Sequence, residues 1–248
     1  MTFWDHLDAL RGSLFRALGV TLAVSVGLFF FKEFLFDGVI LAPARGDFFV
    51  YRWLGIAPTL TLVNIEVAAQ FMTHIKVTFL CGLIVCTPYL LFEIWRFIAP
   101  ALYAREKRAT RRAFLLSAGL FYLGIVIGYV VVLPLMVNFF QGYSISESIT
   151  NTISLTSYMS TVYSTVLLFG LLFEIPVLLA LLSRLGLVTR SMLKKGWRYA
   201  VLTVVVLAAI ITPSGDPFSL MVVSLPLFLL YLLGVALCRD TEKEEADA

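Results

Sequence analysis

Four carboxylates stand where their neighbours give an acid something to do. Glu106 lies in a cationic stretch with Arg105, Lys107, Arg108, Arg111 and Arg112, directly after the aromatic run PYLLFEIWRFIAPALY. Asp5 and Asp8 fall three residues apart in the opening MTFWDHLDALRGS, so one helical turn sets them on the same side. Glu174 is embedded in the apolar run FGLLFEIPVLL. Ionised carboxylates pair bidentately with guanidinium groups, so Glu106 together with Asp8 and Asp5 would make an acidic pocket for an arginine-bearing ligand. The plain alternative is a solvated loop acid at Glu106, balanced by Arg105, Lys107 and Arg108, with Asp8 on the polar face of a helix.

At hydrocarbon depth a carboxylate costs roughly 2.5–3.5 kcal/mol to insert, so such acids face protein or a wet cavity. Three roles are open to Glu174: a protonated structural residue, a partner or substrate contact in a concave groove, or a proton relay. Pro176 has no N–H for the carbonyl of Leu172, which predicts a kink beside Glu174. Glu93, nearer the end of its apolar run, is expected to pair with Arg96 at i+3.

Enzyme chemistry finds little to work with. His6 and His74 are expected on opposite membrane faces and so cannot share a metal or a triad. The sequence has no HExxH, GxSxG, Walker loop or glycine-rich phosphate cradle, and a serine–lysine dyad has nothing to support it. Cys81, Cys86 and Cys238 lie in or at the end of apolar runs without a CxxC, and read as small core residues. No metal or cofactor is expected. The short basic loops read as topology signals, with no nucleic-acid partner.

The elements that must position these acids follow from hydropathy. Of 248 residues, 60% are hydrophobic and 14% charged, against about 45–50% and about 25% in soluble domains. The chain is therefore an integral membrane protein, read as one all-α membrane domain over residues 1–248. Residues 1–13 look like an amphipathic interfacial helix, with Phe3, Leu7 and Leu10 on one face and Trp4 at headgroup level. Asp5, His6, Asp8 and Arg11 precede the first apolar block, so no cleavable signal peptide is expected. Six spans are predicted at about 14–31, 74–97, 113–134, 158–183, 199–212 and 218–238. Residues 32–73 hold Pro43, Gly46, Gly55 and Pro58 and should form an ordered cap outside the bilayer; 135–157 should form a second loop there. The fifth span, at some 14 residues, reaches only roughly 21 Å. TPSGDP turns the chain into the sixth, and 239–248 forms an acidic tail.

Six spans put both termini on one side. That side receives 15 of the Lys and Arg residues, and the other receives only Lys32, Arg45, Arg52 and Lys76. The positive-inside rule makes the basic side, with both termini, cytoplasmic. No internal repeat is detectable, unlike the inverted-repeat transporters. A small proton-coupled transporter with Glu174 as relay nevertheless stands as the alternative function.

Four stretches in order resemble the TatC family, the multispanning core of the twin-arginine protein translocase. WDHLDALRGSLFRAL resembles its opening, RFIAPALYAREKR its first cytoplasmic loop, FGLLFEIPVLL its fourth helix, and TPSGDPFS with LPLFLLYLLG its last turn and helix. The resemblance implies a glove-shaped concave bundle of six helices in the bacterial cytoplasmic membrane. It implies a receptor for twin-arginine signal peptides that draws on the proton-motive force and works as a homo-oligomer with TatA-like and TatB-like single-span subunits near the fifth and sixth helices. Glu106 would contact the arginine pair, with Phe97, Pro100, Leu102, Tyr103 and Arg108 shaping the loop. Glu174 would lie in the groove and take part in partner contacts. Four positions depart from the family pattern. Ala9 stands for its amino-terminal glutamate, so Asp8 or Asp5 would have to substitute. Leu220 and Leu232 replace a frequent Gln and Glu, and Lys107 replaces a frequent arginine.

Overall fold

Apolar side chains with few breakers, in runs long enough to cross a bilayer, dictate helix, because only a helix pairs every backbone group within its own segment. A computed structural model describes residues 3–55, 60–98, 107–146, 152–184, 186–212 and 216–238. Ten α-helices are described, with two short wide-helix stretches, one 3-10 turn and two two-residue strands. Five apolar stretches are long enough to span: Leu10–Phe29, Ala69–Arg96, Phe114–Gly142, Leu155–Arg184 and Pro217–Leu237. A sixth apolar helix, Trp197–Ile210, is shorter. The architecture is thus all-α with six membrane helices.

Helix α1 (Phe3–Phe29) is unbroken where the sequence suggested an interfacial helix followed by a separate span; Gly12 and Ser13 continue the helix instead of ending it. A widened helical stretch (Phe34–Ile40), a single 3-10 turn at Pro43 and the short helix α2 (Phe49–Leu54) follow. Helix α3 (Ala69–Ile98) carries Pro88 inside it. Helices α4 (Lys107–Ile127) and α5 (Leu133–Gly142) are joined through a wider turn at Gly128–Val132. Pro134 has no N–H to give, and a wide turn just before it lets the helix pass through. The helix therefore reaches Gly142, and residues 135–142 are helical where a loop was expected. Helices α6 (Leu155–Leu172) and α7 (Ile175–Arg184) form the next stack. The short α8 (Arg190–Lys195), α9 (Trp197–Ile211) and α10 (Pro217–Leu237) complete the chain. Asp216 caps α10 by accepting from the Ser219 N–H at 2.8 Å, and Pro217 pre-sets its first turn.

The chain divides into two compact units, Met1–Gly119 with Phe140–Met159, and Leu120–Phe139 with Ser160–Ala248. In the first, α3 packs along α1, and Gly82 lets them close up: a Cβ there would overlap the Ser25 side chain. The segment between these helices is ordered by buried tyrosines. Tyr51 is fully buried and donates to the Pro43 carbonyl at 2.7 Å, and Tyr158 donates to the Ile40 carbonyl at 2.8 Å. Burial pushes the Tyr51 hydroxyl above its ordinary pKa, so it stays a donor. Strand β1 (Leu62–Val63) pairs in parallel with β2 (Ile153–Ser154), tying this cap to the start of α6.

In the second unit, α4 lies against α6 so closely that a Cβ on Gly124 would meet the Phe169 carbonyl and the Phe173 side chain. Val162, Phe169, Leu133 and Met136 are all but inaccessible there. Helix α10 packs on α7 and α9.

Candidate functional site

The described polar cluster nearest the start of the chain joins the first half of α1 to the last turns of α3. Antiparallel packing brings Arg16, two turns into the first apolar window, level with Glu93, near the end of the second. The guanidinium pairs bidentately: Nε donates to Glu93 Oε1 at 3.1 Å and Nη2 to Oε2 at 2.8 Å. Tyr89 donates its hydroxyl to Oε1 at 3.0 Å, and Ser13 Oγ accepts from Arg16 Nη2 at 3.0 Å. The Glu93 side chain is 4% exposed and that of Arg16 47%. A nearly buried carboxylate is thus satisfied by a cation that keeps one side in the open. Arg96, the expected partner of Glu93, is exposed and stands outside this cluster. The i+3 rule failed because Glu93 turns toward α1. The usable signal was depth: Arg16 and Glu93 are each a few residues inside the same end of neighbouring spans.

Asp8 is exposed on α1, eight residues or about 12 Å along the axis before Arg16. Asp5 lies on the same helix, Phe97 in the last turn of α3 and Arg108 in the first turn of α4; their side chains are outside the described residues. Glu106 and Tyr103, with Pro100 and Leu102, also lie outside the described residues.

Glu174 sits in the second unit, half-buried, at a two-residue interruption between α6 and α7. The cause is the one expected: Pro176 supplies no N–H to the Leu172 carbonyl. The Glu174 N–H turns to Leu171 O at 3.1 Å, a tighter i−3 bond, while the Leu178 N–H returns to Glu174 O at 2.9 Å. Beyond the break, α7 is held to α10 at Gly234, where a Cβ would meet Leu179 and lie 3.4 Å from Pro176 Cα. An apolar cavity of about 410 Å³ opens beside it, walled by Ile175, Leu179, Leu193, Tyr199, Leu207 and Leu227. In α10, Leu220 is half-buried and Leu232 exposed.

Six apolar helices, a short fifth among them, with an acid at a helix break, define a multispanning α-helical membrane protein. The family model described as "Sec-independent protein translocase protein (TatC)" matches residues 5–226. The chain is 37% identical over 237 residues to the TatC of Deinococcus radiodurans, covering 95% of this chain and 85% of that protein. It is 31% identical to the TatC of a Blattabacterium, covering 99% and 97%. A crystal structure of the twin-arginine translocase receptor TatC superimposes with a TM-score of 0.80 at 31% identity, covering 94% of this chain and 99% of that one. The chain belongs to the TatC family of protein translocase proteins.

Proposed function

We propose that this protein is the receptor of a twin-arginine translocase in a bacterial cytoplasmic membrane, with both termini and the basic loops in the cytoplasm. The observation that carries this is the near full-length match, in sequence and fold, to a solved twin-arginine translocase receptor. Glu106, with Asp8 or Asp5, holds the arginine pair of a signal peptide through bidentate carboxylate–guanidinium bonds, and Phe97, Tyr103 and Arg108 shape the loop around it. The apolar part of the signal then lies along a groove near Glu174. TatA-like and TatB-like single-span subunits dock near α10 and the shorter α9. The apolar cavity between α7, α9 and α10 supports that placement, since a partner helix would fill it. The receptor acts as a homo-oligomer within the complex, and folded cargo crosses at the expense of the proton-motive force.

The test is site-specific photo-crosslinking in native membranes. A probe at position 106 should capture a signal peptide with two arginines and fail to capture one with two lysines. Equal capture of both would remove Glu106 as the reader of the arginines. Binding of neither, with uptake of a small solute by this chain alone in vesicles, would instead support a proton-coupled transporter.

A further inference from the structure

Residues 48–65, FFVYRWLGIAPTLTLVNI, lie between the first two spans yet hold a single charge, Arg52. Helix α2 within them has its roll fixed. Tyr51 is buried and bonded to the Pro43 carbonyl, and the buried Phe48 ring lies 5.9 Å from that of Tyr51. Phe49 and Trp53, one turn apart, therefore share the opposite face, 59% and 87% exposed, with Arg52 exposed beside them. An apolar face of this kind is rarely left to water.

Three ties set its height. Phe29 and Phe36 both meet the ring of His74, at 4.0 and 5.6 Å between centroids. Seven more residues of straight helix would have carried the chain about 10 Å outward, so it folds over at the end of α1 instead. The Ile40 carbonyl accepts from Tyr158 in the first turn of α6. That helix opens an apolar stretch of 30 residues, Leu155–Arg184. Its length is about 45 Å, the thickness of a bilayer with its headgroups, so Tyr158 and the cap bonded to it stand at headgroup level. A cavity of about 660 Å³ walled jointly by Phe36, Leu62, His74 and Leu155 shows the same elements meeting at one height. Pro43, three residues beyond Ile40, then holds α2 there through Tyr51.

We propose that α2 is an interfacial anchor that seats the cap on the leaflet opposite the basic loops. Phe49 and Trp53 lie among the upper acyl carbons, and Arg52 reaches the phosphates. Tryptophan at the boundary, beside a cation whose stem covers apolar surface, is the composition such anchors use. Phe30, Phe31 and Phe34, directly after the first apolar stretch, are exposed at the same level and continue the lipid-facing surface. The height of the face favours lipid over a protein partner, because at headgroup level lipid is already there. The cap then rests on the membrane instead of standing in water, and the inference is independent of signal recognition.

Quenching of Trp53 fluorescence in lipid nanodiscs tests this, with the emission of the Trp53→Phe protein subtracted from that of the full native chain. Phospholipid brominated near the glycerol end of its chains should remove most of the Trp53 emission. Bromine at the chain terminus should remove less, and aqueous iodide little. A tryptophan moved one turn back on the same face, by Phe49→Trp in the Trp53→Phe protein, should give the same order. Both positions are exposed, so neither exchange disturbs the packing of the cap. Iodide quenching without bromine quenching would place the face in water and overturn the proposal. Protection from both quenchers, as a second copy or a protein partner seated on the face would give, would overturn it too. So would lipid contact at only one of the two positions.

Discussion

Helix pairs α1–α3 and α4–α6 solve the same problem with different chemistry. Lipid tails are as apolar as leucine, so no hydrophobic drive pushes spanning helices together; close packing and polar contacts must do it. In α4–α6 the contact is close packing: Gly124 lets α4 reach the backbone of α6, and Phe121, Val162 and Phe169 fill the seam. In α1–α3 the seam is polar at intervals. Thr21, Ser25, Thr78 and Thr87 are buried, each with its hydroxyl bonded back to its own helix, and an ion pair closes one end. A seam of that kind gives fixed spacing with less dispersion energy.

The largest break in this contrast is expected at Gly124. Gly124→Leu places a branched side chain where the Phe169 carbonyl and Phe173 already lie, and a backbone carbonyl has no rotamer with which to yield. Overpacking of this severity costs about 3 kcal/mol or more. The expected outcome is loss of folded protein from detergent extracts, read by size-exclusion profile and thermal melting. A stable Gly124→Leu protein would mean that α4 and α6 are not held by backbone approach.

Next in size is the ion pair, and here removing either partner has different consequences. Arg16→Met strands a nearly buried carboxylate, whereas Glu93→Gln leaves a half-exposed guanidinium that water can serve and keeps an acceptor for Tyr89. Arg16→Met should therefore lower Tm by more than Glu93→Gln, with a difference of a few degrees. The reversed pair, Arg16→Glu with Glu93→Arg, should recover part of the loss. Equal effects of both single changes, with no recovery, would reduce the bridge to a surface contact.

How much of this was legible beforehand depends on the range of the interaction. The spans, the cap and the kink at Pro176 follow from composition and from single missing N–H groups, which are local properties. The helical extension to Gly142 was hidden because Pro134 reads as a terminator until a wide turn is allowed before it. The Arg16 partner of Glu93 was hidden because i+3 spacing offered Arg96, and only packing shows which side Glu93 faces. His74 read as an isolated histidine; its cavity is assembled from the ends of α1 and α3, the segment between them and the start of α6, which no spacing rule connects. Of the acids first singled out, Asp8 is placed on an exposed face of α1 and Glu174 at a helix break, and the partnership of Glu106 with either aspartate rests on charge and spacing in the sequence.

A smaller effect on stability, with a sharper one on function, is expected at the kink. Pro176→Ala returns an N–H for the Leu172 carbonyl and favours a continuous α6–α7 helix, which would rotate Glu174 and disturb the contact at Gly234. Stability should change by no more than about 1 kcal/mol, because a regained helical bond offsets the altered packing. Export of a twin-arginine cargo in complemented cells should fall while the amount of membrane protein holds. If export is unchanged, the position of Glu174 is not set by the break, or does not matter.

The smallest expected effect separates spacing from bonding in the α1–α3 seam. Ser25 Oγ donates to the Thr21 carbonyl at 2.7 Å and stands where Gly82 leaves room. Ser25→Ala removes a hydroxyl whose bond stays within its own helix, so it deletes no link between the helices and leaves no stranded donor. The change in stability should lie within about 0.5 kcal/mol. Ser25→Val adds bulk at the same point and should cost distinctly more, because the close approach at Gly82 has no space for a second methyl. If alanine instead proves as damaging as valine, the hydroxyl itself holds the helices together, and the two seams differ in their chemistry at every level rather than only at the charged end.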